Sequence, residues 1–130
     1  MERKMIKFTI FLFMLCLMMS IYSVNAGTLG FLSIKLPVLK GNYESDFKYK
    51  ETKTNQTYSS NGTTLNNGTL IDVEVNLHKT GVPTDWRALS KNEMTTWSTI
   101  DYTTYGTYRM EFQQDASRLQ SAIHSGVWAY

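Results

Sequence analysis

This 130-residue sequence predicts an all-β fold, a single antiparallel β-sandwich or small barrel with room for one short helix, placed after an N-terminal signal peptide. Three observations lead there. Apolar residues recur at every second position, the period of a half-buried strand. A long uncharged tract rich in Thr, Ser, Asn and Gly carries hairpin-turn signals. Beyond the leader, residues 27–130 form a chain long enough for one core and too short for two.

The leader comes first in the chain. Met1 to Lys7 carries Arg3, Lys4 and Lys7 against only Glu2, Phe8 to Ile21 is almost wholly apolar, and Val24-Asn25-Ala26 supplies small residues for a peptidase. The expectation is a secreted protein cleaved after Ala26, with 1–26 as signal peptide and 27–130 as a β-rich secreted domain. A retained anchor fits less well, because Phe8 to Val24 is short for a bilayer span and Ser20, Tyr22 and Ser23 dilute its far end. Lipidation is disfavoured by the bulky Phe13-Met14-Leu15 before Cys16. No membrane span is therefore expected after cleavage.

Cleavage changes the chemistry that matters. Of 13 basic residues three precede Gly27, and of 11 acidic residues one does, which leaves ten of each and a neutral secreted domain. Nucleic-acid binding draws its affinity from concentrated Lys and Arg on phosphates, which this balance does not supply, so no nucleic-acid partner is expected. A cationic membrane-disrupting helix is disfavoured on the same ground. The single cysteine, Cys16, leaves with the leader, so the domain carries no disulfide and must hold together by burial.

The strands are justified in order. Phe31 to Leu36 reads as a first strand stopped by Pro37, which cannot donate to a ladder. In Asn42 to Glu51, Tyr43, Phe47 and Tyr49 share one face and Glu44, Asp46, Lys48 and Lys50 the other. Thr54 to Ile71 has no charged residue, and Asn61-Gly62 and Asn67-Gly68 tolerate the positive φ of tight turns. Composition predicts a mobile hairpin or long surface loop there, with a polar recognition surface as the sharper alternative. Asn55, Asn61 and Asn67 also open Asn-x-Thr glycosylation patterns.

Ile71 to His78 is the clearest strand, with Ile71, Val73, Val75 and Leu77 inward and Asp72, Glu74, Asn76 and His78 outward. Asp85 to Asn92, after Pro83, fits one short helix with Trp86, Ala88 and Leu89 on its stripe. Met94 to Tyr102 has the composition of a strand, with Trp97 and Thr99 on one face. Thr107 to Gln113 alternates Tyr108, Met110 and Phe112 against Arg109 and Glu111. Ala116 to Gly126 has helical spacing, but a closing strand over Ser121 to Ala129, with Ile123, Val127 and Ala129 on one face, is preferred in β-rich surroundings.

Catalytic and metal motifs are missing. His78 and His124 show no ligand spacing, so no metal site and no cofactor is expected. Asp72 and Glu74 lie two residues apart on one strand face, the type of carboxylate pair glycosidases use, yet outward charges on an amphipathic strand are ordinarily solvated. Ser125-Gly126 lacks the Gly-x-Ser-x-Gly elbow of hydrolases. The expectation is a protein that is not an enzyme and has no catalytic residue. The remaining lead is aromatic: Trp97, Tyr102 and Tyr105 as an exposed platform, with Asn61 and Asn67 supplying orienting hydrogen bonds to a sugar or a partner's apolar patch.

Tyr108-Arg109-Met110-Glu111-Phe112 and the closing Ser125-Gly126-Val127-Trp128, together with the leader and the cysteine-free domain, resemble a family of small secreted Firmicutes proteins of unknown function. Some of that family are encoded near bacteriocin or peptide-export transporters. Its mid-chain tryptophan, tyrosine-rich strand and Ser-Gly-x-Trp ending correspond here to Trp86 or Trp97, Tyr105 to Phe112 and Ser125 to Trp128. The chain departs from it by ending in Ala129-Tyr130 without an acidic tail. Lactococcin-like bacteriocins are similar in size and export route, but their Gly- and His-rich signature is missing. The resemblance implies bacterial export and a peptide-antibiotic context, and assigns no site.

The functional expectation is an exported, non-enzymatic protein that binds a cell-wall glycan or envelope protein. A secreted antibacterial, bacteriocin-like protein is the first alternative. A small secreted hydrolase, disfavoured by the missing motifs, is the second.

Overall fold

The structure, a computed structural model, describes residues 27–130. The expected signal peptide at 1–26 and its cleavage site lie outside the described residues. The described chain is mostly strand and builds two antiparallel sheets packed face to face, a sandwich rather than a closed barrel. Its elements are β1 (Thr28–Leu36), β2 (Tyr43–Glu44), β3 (Lys48–Lys50), β4 (Gln56–Leu65), β5 (Leu70–Ile71), β6 (Val73–His78), β7 (Arg87–Leu89), β8 (Met94–Trp97), a one-turn helix α1 (Ile100–Thr103), β9 (Gly106–Gln114) and β10 (Ala122–Ala129). One sheet runs β1-β10-β4-β5 with β8 also paired to β4, and the other runs β2-β9-β6-β7 with β3 also paired to β9. The first is called the front sheet below and the second the back sheet.

The core lies between them, and its largest members are aromatic. Tyr58, Trp97, Tyr108, Phe112 and Trp128 are fully buried, packed with Val73, Val75, Leu77 and Met110. Phe112 is central: its ring stands 4.9 Å from Phe31, 5.1 Å from Tyr58 and 5.4 Å from His124. In a domain without disulfides, such rings supply the burial that must offset chain entropy.

The two strands of clearest alternation are as expected. Val73, Val75 and Leu77 point into the core from β6, and Tyr108, Met110 and Phe112 do so from β9. Asp72 is a corner, where the chain leaves the front sheet after Ile71 (opposite Thr63) and enters the back sheet at Val73 (opposite Gln114). Inward parity continues through the corner, so Ile71 still packs on the core. The expected outward polar set is not fully exposed, since Asn76 is buried and Glu111 nearly so.

β1 ends at Leu36, and Pro37 follows outside the strand. The closing strand forms as β10, but its facing is opposite to expectation. Ala122, His124, Gly126 and Trp128 are buried, while Ile123 and Val127 face water. Both faces of this strand are largely apolar, so size and partners decide. Trp128 needs the core's volume and His124 finds partners there, whereas Ile123 and Val127 tolerate a sheet surface.

A second inversion comes from a one-residue slip. Glu44 pairs with Glu111, but Lys48 pairs with Tyr108, so three residues on the β2–β3 side oppose two on β9. Ser45 bridges the gap: its amide donates to the Met110 carbonyl and its hydroxyl accepts from the Met110 amide. A slip of one residue turns every later side chain to the other face. Tyr49 and Phe47 therefore lie exposed, and Lys50 is buried.

Three further expectations are corrected. The Thr54 to Ile71 tract is not a mobile loop: most of it is β4, paired to β10 on one side and to β5 and β8 on the other. Its alternation is polar, with Gln56, Ser60 and Thr63 buried beside Tyr58, which hydrophobicity alone does not flag. Within it Asn61-Gly62 is a bulge rather than a turn, with Gly62 at φ +129°, whereas Asn67-Gly68 does make the β4–β5 hairpin with Gly68 at φ +86°. The expected helix over Asp85 to Asn92 is β7, because the free edge of β6 offers Arg87 to Leu89 ladder partners and an eight-residue helix is marginal alone. The strand expected over Met94 to Tyr102 stops at Trp97, opposite Gln56, where β4 begins and no further rung exists; the chain then coils into α1.

Gly126 shows how tightly the sheets depend on this arrangement. A Cβ there would collide with the Tyr58 hydroxyl and the Ser59 carbonyl. Gly126→Ala is expected to lower unfolding free energy by about 2–3 kcal/mol, the cost of overpacking a core that includes backbone. Urea denaturation of the two proteins measures it, and equal midpoints would contradict this packing.

Candidate functional site

The polar groups of this protein fall into three sets with different capacities. The first is a buried seam on the inner face of β4 and β10. His124 Nε2 lies 2.5 Å from the Tyr58 hydroxyl and Nδ1 lies 2.7 Å from Thr63 Oγ1. The Tyr58 proton has no other acceptor among the described residues, so the network assigns Tyr58 as donor to Nε2 and a protonated Nδ1 as donor to Thr63. Burial holds the Tyr58 phenol far above its ordinary pKa and pushes His124 down to about 4, the hydrogen bond with the Gly62 backbone opposing only in part. Next along the seam, Gln56 donates from Nε2 to the Tyr102 carbonyl (2.8 Å) and accepts the Trp128 indole N–H (3.0 Å). All these groups are shut from solvent and satisfied, so they hold the sheet and its one-turn helix in place rather than meet a ligand.

The second set covers the outer face of the back sheet. Glu74 accepts from Lys40 (3.1 Å) and Gln113 (2.5 Å), and Glu111 accepts from Asn76 (3.3 Å) with His78 Nδ1 3.0 Å from its carboxylate. Arg109 pairs with Glu44 at 3.2 Å and lies 4.9 Å over the Phe47 ring. The charges here are spent on one another. Glu74 is thus tied into an ion pair, Asp72 sits apart at the sheet corner, and neither lines the two surface cavities described below.

The third set is the outer face of the front sheet, and it is chemically unlike the second. Register places Thr28, Gly30 and Lys35 of β1 beside Ala129, Val127 and Ile123 of β10, then Thr57, Ser59 and Thr64 of β4. Thr96 and Met94 of β8 and Leu70 of β5 complete the rows. No acidic side chain lies in those rows, Lys35 is their one charge, and the Lys91 stem lies against Gly62 in the central row opposite Ser125. The hydroxyls of Thr28, Thr57, Ser59, Thr64 and Thr96 make no hydrogen bond among the described residues, while Ile123, Val127, Leu70 and Met94 are exposed between them. The bulges at Leu32–Ser33 in β1 and at Asn61 in β4 flank Ser125 on either side and mark the centre of this face.

Two surface cavities flank the sandwich. One, of about 190 Å³, lies between β1 and the β2–β3 segment, lined by Leu29, Phe31, Ile34, Tyr43 and Lys48 among others. The other, of about 280 Å³, lies at the end of the sandwich and is lined by Gly27, Tyr49, Glu51, Thr52 and Tyr130.

The candidates expected from sequence separate in space. Trp97 is fully buried and Tyr102 nearly so, their rings 6.3 Å apart, and both belong to the core rather than to an exposed platform. Trp97 ends β8 opposite Gln56, and α1 folds Tyr102 in behind it. Tyr105 is exposed, with the Lys53 ammonium 5.3 Å from its ring centre. Asn61 is exposed at the β4 bulge, and Asn67 is exposed at the β4–β5 turn, where its side chain accepts from the Thr69 amide at 3.0 Å. These three do not form one cluster. Tyr49 and Phe47, which the sequence puts on one face with the half-buried Tyr43, are exposed because of the slip at Ser45, which no local pattern announces.

Among the described residues no group of three or more His, Cys, Asp or Glu could hold a metal ion, and no helix is long and apolar enough to cross a membrane. No family model, no curated protein and no solved structure matches this chain.

His124 makes stability depend on pH. In the unfolded chain its imidazole titrates near 6.5, and in the folded protein near 4, so the unfolded state binds the extra proton between those values. Its contribution is complete above about pH 6.5 and falls as the pH drops toward 4, by as much as roughly 3 kcal/mol. Denaturation midpoints measured across that window should fall with acid in the native protein and lose this component in His124→Asn. A native midpoint flat from pH 7 to 4 contradicts the buried neutral imidazole.

Proposed function

We propose that this chain is an exported, non-enzymatic binding protein whose outer front-sheet face docks on a neutral glycan of the cell envelope. The observation that supports it is the contrast between the two outer faces. On the back sheet Glu74 is paired with Lys40 and Glu44 with Arg109, so most of its charge is already engaged. On the front sheet, unpaired hydroxyls alternate with small apolar side chains on a surface without carboxylates. A polysaccharide presents the same mixture, hydroxyls around an apolar C–H face, and it repels neither charge sign.

The geometry of a sheet suits an extended polymer. Side chains on one face repeat at about 6.5–7 Å along a strand and about 4.8 Å between strands, which sets out a regular grid of hydrogen-bonding and apolar contacts. Each contact is weak, and affinity comes from many made at once. The resemblance adds context to this reading, since some members of that secreted family are encoded near peptide-export transporters. An envelope protein as partner is the other occupant of the same class, and it would need a larger apolar patch than scattered Ile, Val and Met provide.

Retention of the purified full chain on isolated peptidoglycan and on insoluble β-glucan tests the proposal. Ser59→Glu and Val127→Glu, each placing a carboxylate in the middle of the face, are expected to weaken retention at least about tenfold with unchanged circular dichroism. Retention on neither polymer, or retention that both variants leave intact, overturns it.

A further inference from the structure

The cavity at the end of the sandwich owes its walls to two features already described. The β2–β3 slip turns Tyr49 outward, where it is 60% exposed opposite Thr107. On the other side Tyr130 continues the inward parity of β10, lies with its ring tilted 44° and centred 4.6 Å from the Trp128 ring, and is tied by its amide to the Gly27 carbonyl at 2.8 Å. Its ring occupies the space a side chain at residue 27 would need, since a Cβ on Gly27 would collide with it. Tyr130 is therefore a fixed wall and Tyr49 an open one.

The polar lining is equally specific. Glu51 has no ion-pair or hydrogen-bond partner among the described residues, so both oxygens of its carboxylate face the cavity or solvent unpaired. Thr52 Oγ1 lies 2.9 Å from Thr54 Oγ1, and the buried Lys50 ammonium donates to both, at 3.4 and 2.9 Å. Lys50 thus fixes the Thr52 hydroxyl from behind and leaves Glu51 as the charged side chain of the lining. The lining combines two phenol rings, which offer flat apolar faces, with one unpaired carboxylate that accepts hydrogen bonds from hydroxyls.

We propose that this cavity is a subsite for a single pyranose ring, its C–H face against Tyr49 and Tyr130 and two neighbouring hydroxyls donating to the Glu51 carboxylate. This deepens the glycan reading of the front sheet and rests on it. The volume, about 280 Å³, lies just under the range of about 300–1,000 Å³ typical of pockets for drug-sized ligands, and so fits one ring rather than several. Gly27–Tyr130 directly follows the Thr28–Ala129 pair that ends the hydroxyl-bearing face, so a glycan lying along the sheet reaches the cavity at its end. Binding would then be anchored at one sugar and extended along the strands.

The test uses methyl β-glucoside, methyl N-acetyl-β-glucosaminide and, as a cation probe, tetramethylammonium, titrated into the full chain and followed by NMR shifts. The expected result is saturable shifts at Tyr49, Glu51, Thr52 and Tyr130 with at least one glycoside, weakened about tenfold or more in Tyr49→Ala and in Glu51→Gln. Tyr49 is exposed, so its variant keeps the fold, and Val127→Glu should leave the glycoside shifts unchanged. Absence of shifts at these residues with both glycosides, or shifts with tetramethylammonium alone, overturns the subsite. Polymer retention without glycoside shifts sinks this subsite and spares the sheet reading, and glycoside shifts without polymer retention do the reverse.

Discussion

Register governs this molecule. In a sandwich with a side-chain period of two, a single inserted residue decides which half of a strand's side chains enters the core. Three such insertions occur: at Leu32–Ser33 in β1, at Asn61 in β4 and between β2 and β3. The first two flank Ser125 on opposite sides of β10, so the front sheet bends along one line while β10 itself keeps an unbroken alternation. The third sends Lys50 inward and Tyr49 outward. Core membership, the uncharged front face and the tyrosine wall of the end cavity all descend from where these insertions fall.

The register is in turn held by a buried polar seam. Across the β4–β10 pair His124 bonds Thr63 directly opposite it and Tyr58 on a diagonal, and Trp128, opposite Tyr58, bonds Gln56 on the next diagonal. A slip of one residue would carry these groups away from their partners and leave several buried donors and acceptors unpaired, at about 1–3 kcal/mol each. Apolar side chains could not enforce this, because one apolar neighbour substitutes readily for another. The seam therefore adds uniqueness to a core whose stability comes mainly from rings. It also explains why a strand so poor in aliphatic residues as β4 can occupy the middle of a sheet.

That same feature marks the limit of what the sequence made legible. Alternation in Ile71 to His78 and Thr107 to Gln113 survives intact, because one face there is aliphatic or aromatic and the other polar, and the fold class follows from those two strands. β4 was obscured because its inward residues, Gln56, Tyr58, Ser60 and Thr63, acquire their apolar environment only from partners distant in the chain. β10 was legible as a strand but not in its facing, since His124 looks solvent-bound until Tyr58 and Thr63 are placed beside it. β7 was obscured by length: three residues carry too little pattern to compete with a plausible helical stripe. Site residues fared least well, because exposure of an aromatic depends on register and pairing. Trp97 and Tyr102 went inside while Tyr49 came out.

The distribution of charge ties fold to binding. Ten basic and ten acidic residues follow Ala26, yet they are spread unevenly over the two sheets. The back sheet gathers Glu44 with Arg109 and Glu74 with Lys40, and places Glu111 beside His78, and such surface pairs add little net affinity for any outside ion. The front sheet, formed largely by the uncharged 54–71 tract and β10, keeps a surface on which water is bound by hydroxyls and released cheaply from small apolar groups. A partner that is itself neutral, extended and hydroxylated loses least on approaching such a surface, because neither side must shed a tightly hydrated charge. The segregation of charge to one sheet is thus what leaves the other free for recognition by shape and hydrogen bonding.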